Sequence, residues 1–214
     1  YAKTIKQWNH NSIERDVTFT VHNSDIIYYF EDENNITIFY GFLDQENPYK
    51  NPAQYVSELL SKHGIKTLNG CYGSFIVIHF EKDKQHYLIA NDAMGDFAVH
   101  YQDSNILQVS DLPQALLTKN NSALNHLRLL HFFATSKPQT KACFFEKIKQ
   151  LNPGHCLTVK KNTLHVDQYY FPKLVLNKSR KNTDELAEEF KSLMQQVIND
   201  QTKGQKKVGV MMSG

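Results

Sequence analysis

The residues best suited to chemistry are Met211-Met212-Ser213-Gly214. The run Val208-Gly209-Val210-Met211-Met212 lacks polar alternation, which predicts a strand buried on both faces of a parallel sheet. A Ser-Gly loop at the carboxyl end of such a strand offers backbone amides and a hydroxyl, the groups that hold phosphate oxygens in open α/β folds. Two other stretches, Asn91-Asp92-Ala93-Met94-Gly95-Asp96 and Leu151-Asn152-Pro153-Gly154-His155, have residue sets suited to tight, self-bonded turns. On the residues alone they are turns and nothing more.

Cysteine and histidine add no chemistry. Cys71, Cys143 and Cys156 show neither Cys-x-x-Cys spacing nor a neighbouring base, so small buried hydrophobes in a reducing compartment are expected. No two of the ten histidines stand four apart, the spacing that puts both rings on one helix face, so no metal site is expected. With 24 Lys plus Arg against 22 Asp plus Glu, the net charge of +2 gives no bulk attraction for nucleic acid or an anionic membrane. No apolar run approaches the ~18 residues of a membrane span, and the start lacks the apolar stretch of a signal peptide. The expected location is the cytoplasm.

The elements that must position these residues are legible from periodicity. Val17–Val21 alternates, 26–30 is solidly apolar and 36–40 alternates again, predicting three strands in a meander. Pro52 opens a helix whose Ala53, Val56, Leu59 and Leu60 share a face, and Gly64 closes it. Residues 73–80 and 86–90 predict a long antiparallel hairpin, with strands to follow at 97–101 and 106–109. Ser122 is the expected cap of a helix carrying Leu124, Leu127 and Leu130, and beyond Pro153-Gly154 two short strands flank Lys161-Asn162. Composition shifts at Pro172: residues 173–183 read as a linker, after which Thr183 starts an amphipathic helix with Leu186, Phe190, Leu193, Met194 and Val197 on one face. Residues 184–214 thus look like the opening of a second, α/β domain behind a strand-rich first domain, residues 1–172.

In order along the chain, Leu68-Asn-Gly-x-Tyr-Gly-Ser-Phe75, Leu88-Ile-Ala-Asn-Asp-Ala-Met-Gly95 with Tyr101, Phe145-Glu-Lys-Ile-x-x-Leu-x-Pro-Gly-His155, Tyr169-Tyr170 and Val208-Gly-Val-Met-Met-Ser-Gly214 resemble the asparagine synthetase family. The resemblance runs from about Asn35 to Gly214. It implies an α+β fold: a four-layer αββα sandwich of the N-terminal-nucleophile glutaminase type, then the first helix and strand of an α/β ATP-pyrophosphatase domain. It implies ATP and Mg2+ as cofactors, adenylation of a carboxylate and displacement of AMP by an amine. Ser213 and Gly214 would bind phosphate, with Met212 near the adenine, and the last run would be the family's pyrophosphate loop cut after its second residue.

The departures point away from glutamine hydrolysis. The family's nucleophile is an N-terminal cysteine whose own amine is the base, whereas this chain begins with Tyr1. No Arg-His-Arg-Gly-Pro stretch occurs, the Asn-Gly that supplies an oxyanion donor reads Tyr40-Gly41, and the Asp-x-Glu region reads Asn51-Pro-Ala-Gln54. No catalytic residue is therefore assigned. Lasso-peptide cyclases and β-lactam synthetases share this pattern, so the expected full-length activity is ATP-dependent amide ligation on a small-molecule or peptide carboxylate, with a homodimer or a partner protein as the expected association. Two alternatives stand beside it: a glutamine-hydrolysing asparagine synthetase whose cysteine precedes Tyr1, and a non-catalytic sandwich that binds a peptide or protein along a sheet edge.

Overall fold

A computed structural model of the chain describes residues 6–10, 16–21, 25–44, 48–119, 123–137, 143–160, 163–172, 181–202 and 207–210. The chain divides into two compact units, Tyr1–Phe171 and Pro172–Gly214.

The first unit is a mixed α+β structure of two sheets and few helices. Strands β1 (Lys6–His10), β2 (Val17–Val21), β7 (Val99–Asp103), β8 (Leu107–Ser110) and β9 (Lys149–Leu151) form a five-stranded sheet in the order β1-β2-β8-β7-β9. Strands β3 (Ile27–Glu31), β4 (Asn35–Leu43), β5 (Gly73–Glu81), β6 (His86–Asn91), β10 (His155–Lys160) and β11 (Thr163–Gln168) form a six-stranded sheet in the order β11-β10-β6-β5-β4-β3. Alternation explains how strands of both sheets feed one core. Val17, Phe19 and Val21 from β2 share a cluster with Ile76 and Ile78 from β5 and with Leu157 from β10. The intervening residues of the six-stranded sheet, Phe39, Phe75, Val77, Leu88 and Cys156, point the opposite way and pack with Ala53, Val56 and Leu60 of helix α1 (Pro52–His63). The helix starts where Asn51 Oδ1 accepts the Ala53 amide, beside Pro52 in the first turn. It ends at Gly64, whose amide bonds back to Leu60.

Three expectations need correction. The three early strands are not one meander: β2 pairs with β1 and, in parallel, with β8, while β3 and β4 pair in the other sheet. An alternating strand carries one buried face whichever neighbour supplies the cover, so the pattern does not choose the sheet. Helix α2 (His126–Thr135) is capped by Asn125, whose Oδ1 accepts the Arg128 amide at 3.0 Å, and Ser122 lies outside the described residues. No residue of α2 is buried, while Leu129 and Phe132 are half-buried and the Phe132 ring packs on Phe144 at 5.5 Å between centroids. Last, residues 207–210 are exposed and belong to no strand, with Val210 at 80% exposure. A strand buried on both faces needs ladder partners and covering layers, and no described residue pairs with this run.

In the second unit the amphipathic helix forms as expected, as α3 (Thr183–Thr202). Asn182 Oδ1 accepts the Glu185 amide at 2.9 Å, while the Asn182 amide donates to the Glu185 carboxylate. This reciprocal pair is a capping box. Leu186, Phe190 and Leu193 on its apolar face are exposed.

Candidate functional site

The pieces singled out in the sequence converge on one buried knot. Strand β6 runs into the Asn91–Asp96 loop at the edge of the core, and the Asp92 side chain folds back into it, 1% exposed. Its Oδ1 accepts the amides of Met94 at 2.9 Å and Gly95 at 2.6 Å, and its Oδ2 accepts the Phe75 amide at 3.2 Å. The Asp92 carbonyl accepts the Gly154 amide at 2.9 Å, so the second turn is tied to the first. Tyr169 donates its hydroxyl to the Asn91 carbonyl, and burial, reinforced by the Asp92 charge, pushes that phenol well above its usual range.

Glycine is required at two crossings of this knot. Gly95 has φ +71° and a side chain there would meet Pro153 Cγ at 2.8 Å; Gly154 has φ +64° and would meet Tyr170 Cβ at 2.9 Å. Both are left-handed conformations under close approach, which glycine alone tolerates well. The polar groups named here hold chain to chain, so the knot braces β5, β6, β10 and Tyr169.

The position that would carry glutamine chemistry lies on β4. Tyr40 is 3% exposed, its ring centroid 4.9 Å from that of Phe97, and its hydroxyl donates to Asp111 Oδ2 at 3.3 Å. Burial, then the Asp111 charge and hydrogen bond, push the phenol up to about 12, so it stays protonated. A buried phenol in the space between sheets fills volume and donates only to Asp111. The other donor at this position, the Gly41 amide, is bonded to the Ile26 carbonyl at 2.9 Å. Gly41 has φ +127°, and a Cβ there would stand 2.1 Å from the Ser74 carbonyl oxygen, so the β4–β5 ladder itself demands glycine. The Asn51–Gln54 stretch is the start of α1: Asn51 caps the helix and its Nδ2 donates to the Tyr29 carbonyl at 2.9 Å.

No described thiol is poised as a nucleophile. Cys71, Cys143 and Cys156 are buried and free, and burial pushes Cys71 and Cys156 up to about 11. A nucleophilic cysteine needs the opposite shift. No group of three or more His, Cys, Asp or Glu side chains able to hold a metal ion occurs among the described residues. Met212, Ser213 and Gly214, expected to meet ATP, lie outside the described residues, as does Tyr1. Among the described residues no helix is long and apolar enough to cross a membrane.

Asp111 was missed in the sequence, and no local signal marks it. It stands 71 positions from its partner Tyr40 and meets it only because the two sheets face each other. Asn91 is likewise readable only in place: its Oδ1 accepts the His155 amide at 3.3 Å, 64 positions away.

No curated protein matches the chain. Among solved structures it is similar to glutamine phosphoribosylpyrophosphate amidotransferase from B. subtilis, complexed with ADP and GMP, at 9% identity and a TM-score of 0.42. That likeness covers 70% of this chain and 32% of the other, and is too distant to bear on function. The family model for the glutamine amidotransferase domain matches residues 53–170, which span α1, the β5–β6 hairpin, the Asp92 brace and β9 to β11. The chain therefore belongs to the glutamine amidotransferase domain family.

Proposed function

We propose that this chain is the front part of an ATP-dependent, AMP-forming amide ligase of asparagine-synthetase type, whose amidotransferase domain hydrolyses no glutamine. The observation that carries the second half is the occupied oxyanion position: the Tyr40 side chain is buried against Phe97 and Asp111, and the Gly41 amide is bonded to Ile26. A tetrahedral oxyanion needs donors aimed at it and uncommitted before the reaction. The ligase half rests on the ordered motifs of the family resemblance; a four-layer sandwich and an ATP-pyrophosphatase second unit belong to the same proposal. In this reading ATP activates a carboxylate of a small molecule or peptide, and an amine already present on the acceptor displaces AMP. Met212, Ser213 and Gly214 are assigned to the nucleotide, with Mg2+ held by residues outside those described.

The full-length protein is expected to release pyrophosphate from ATP, Mg2+ and a suitable carboxylate without releasing glutamate from glutamine. Absence of carboxylate-dependent pyrophosphate release across a panel of amino acids and peptides would sink the ligase reading. The second reading is a working glutaminase, which the amidotransferase family match favours. Glutamate formation that is abolished by thiol alkylation establishes it and removes the first.

A further inference from the structure

The two edges of the six-stranded sheet are finished differently. At the β3 edge, the outward-facing Tyr29 carbonyl is capped by Asn51 Nδ2, and Lys82 bridges Glu31 at 2.8 Å. At the β11 edge, His165, Val166, Asp167 and Gln168 are exposed, and the strand contains no Lys, Arg or Pro of the kind that usually guards an edge. The chain also leaves this edge open after Gln168: the Tyr169 and Tyr170 amides turn inward to the Gly154 carbonyl at 3.0 and 3.1 Å.

The direction of the free backbone groups follows from alternation. The His155 amide points toward β6, where it meets Asn91 Oδ1, so the even-numbered residues of β10 face β11. In the register Cys156↔Asp167 and Thr158↔His165, the hydrogen-bonded residues of β11 are therefore Asp167 and His165. Leu164, Val166 and Gln168 turn their N–H and C=O groups outward, in agreement with the inward Tyr169 amide.

We propose that β11 is a self-association edge, pairing antiparallel with β11 of a second copy about a two-fold axis through Val166. In this register Val166 faces Val166 of the copy, and Leu164 faces Gln168, so all the outward residues meet their counterparts in about six ladder hydrogen bonds. His165 then stands opposite Asp167 of the copy, twice, in the closely spaced non-hydrogen-bonded pairs where side chains interact most. An imidazole N–H donor opposite a carboxylate acceptor makes the segment complementary to itself, and the 48%-exposed Val166 side chain is covered by its twin. A register shifted by one residue would put His165 against Val166 or Gln168 and Asp167 against Leu164 or Val166, and a shift of two would put His165 or Asp167 against its own counterpart. One six-residue edge is small beside the ~800 Å² per partner of a standard interface, so the dimer is a weak one, with Kd of about micromolar order.

Pairing at this edge does not depend on the catalytic reading, and it is open to physical measurement. Sedimentation equilibrium of the protein should show a monomer–dimer exchange. His165→Asp should weaken it by about tenfold through like-charge opposition, and adding Asp167→His to that variant should restore it. Val166→Lys should abolish it while leaving the thermal midpoint near that of the parent, since both its side chain and its free backbone face solvent in the monomer. Val166→Cys should give a reducible covalent dimer under mild oxidation, across Cα atoms about 5.5 Å apart. A protein that stays monomeric at its highest soluble concentration overturns the proposal. So does a dimer indifferent to His165→Asp, or a Val166→Cys variant that does not cross-link.

Discussion

The Asp92 brace follows β6 and Tyr40 lies on β4 of the same sheet, and the two teach different things about the chain. The brace is built from residues that the family resemblance rests on, and each has a mechanical role, since a carboxylate collects amides and two glycines let turns cross closely. At Tyr40-Gly41 only the glycine keeps a role dictated by the backbone, while the side chain before it fills space between the sheets. Under the proposed function the fold retains its joints while the oxyanion position changes content, because the joints answer to burial and that position answers to substrate.

The largest test of that contrast is Asp92→Ala. Removing an acceptor shared by three amides, of which the Phe75 amide is buried, should cost about 4 kcal/mol, read by urea unfolding. If the loss is instead that of an exposed turn, under about 1 kcal/mol, the brace is not one. Gly41→Ala should cost about 3 kcal/mol, from the positive φ and a collision with backbone oxygen that no side-chain rotation relieves. A neutral result there would reopen the position to the reading of a flexible, substrate-binding strand.

Acid separates a third site from both. His79 is 2% exposed with Nδ1 on Thr37 Oγ1 at 2.8 Å, and burial pushes its ring down to about 4 from 6.5. The native state keeps this ring neutral while the unfolded chain takes up a proton below 6.5, so its contribution is intact above that pH. It is lost as pH falls toward 4, by at most about 3 kcal/mol for this group. His79→Gln should flatten the fall in stability between pH 7 and 4 relative to the parent; an unchanged slope would assign the acid sensitivity elsewhere. The smallest expected effect is that of Tyr40→Phe, about 1 kcal/mol for one hydrogen bond to Asp111, with no change in glutamate release. A larger loss would make the hydroxyl more than a space-filling terminus.

Local pattern specified much of this molecule. Helix α1 begins and ends where Pro52 and Gly64 place it, the β5–β6 hairpin follows its turn, β10 and β11 pair antiparallel, and α3 starts at Thr183. Capping chemistry and apolar spacing act within a few residues, so they are written where they operate. Helix α2 shows the limit of that rule, since Ser122 and Asn125 are both competent caps and the backbone geometry selected Asn125.

The tertiary structure alone decided which sheet each strand joined, that β2 runs parallel to β8 through Val17↔Leu107, and that Tyr40 meets Asp111. It also decided that Val208 to Val210 stay exposed and that one sheet edge is capped while the other is open. The physical reason is common to all of these. Alternation tells a strand which face to bury but not against what, and the partner is chosen by contacts between residues far apart in the chain.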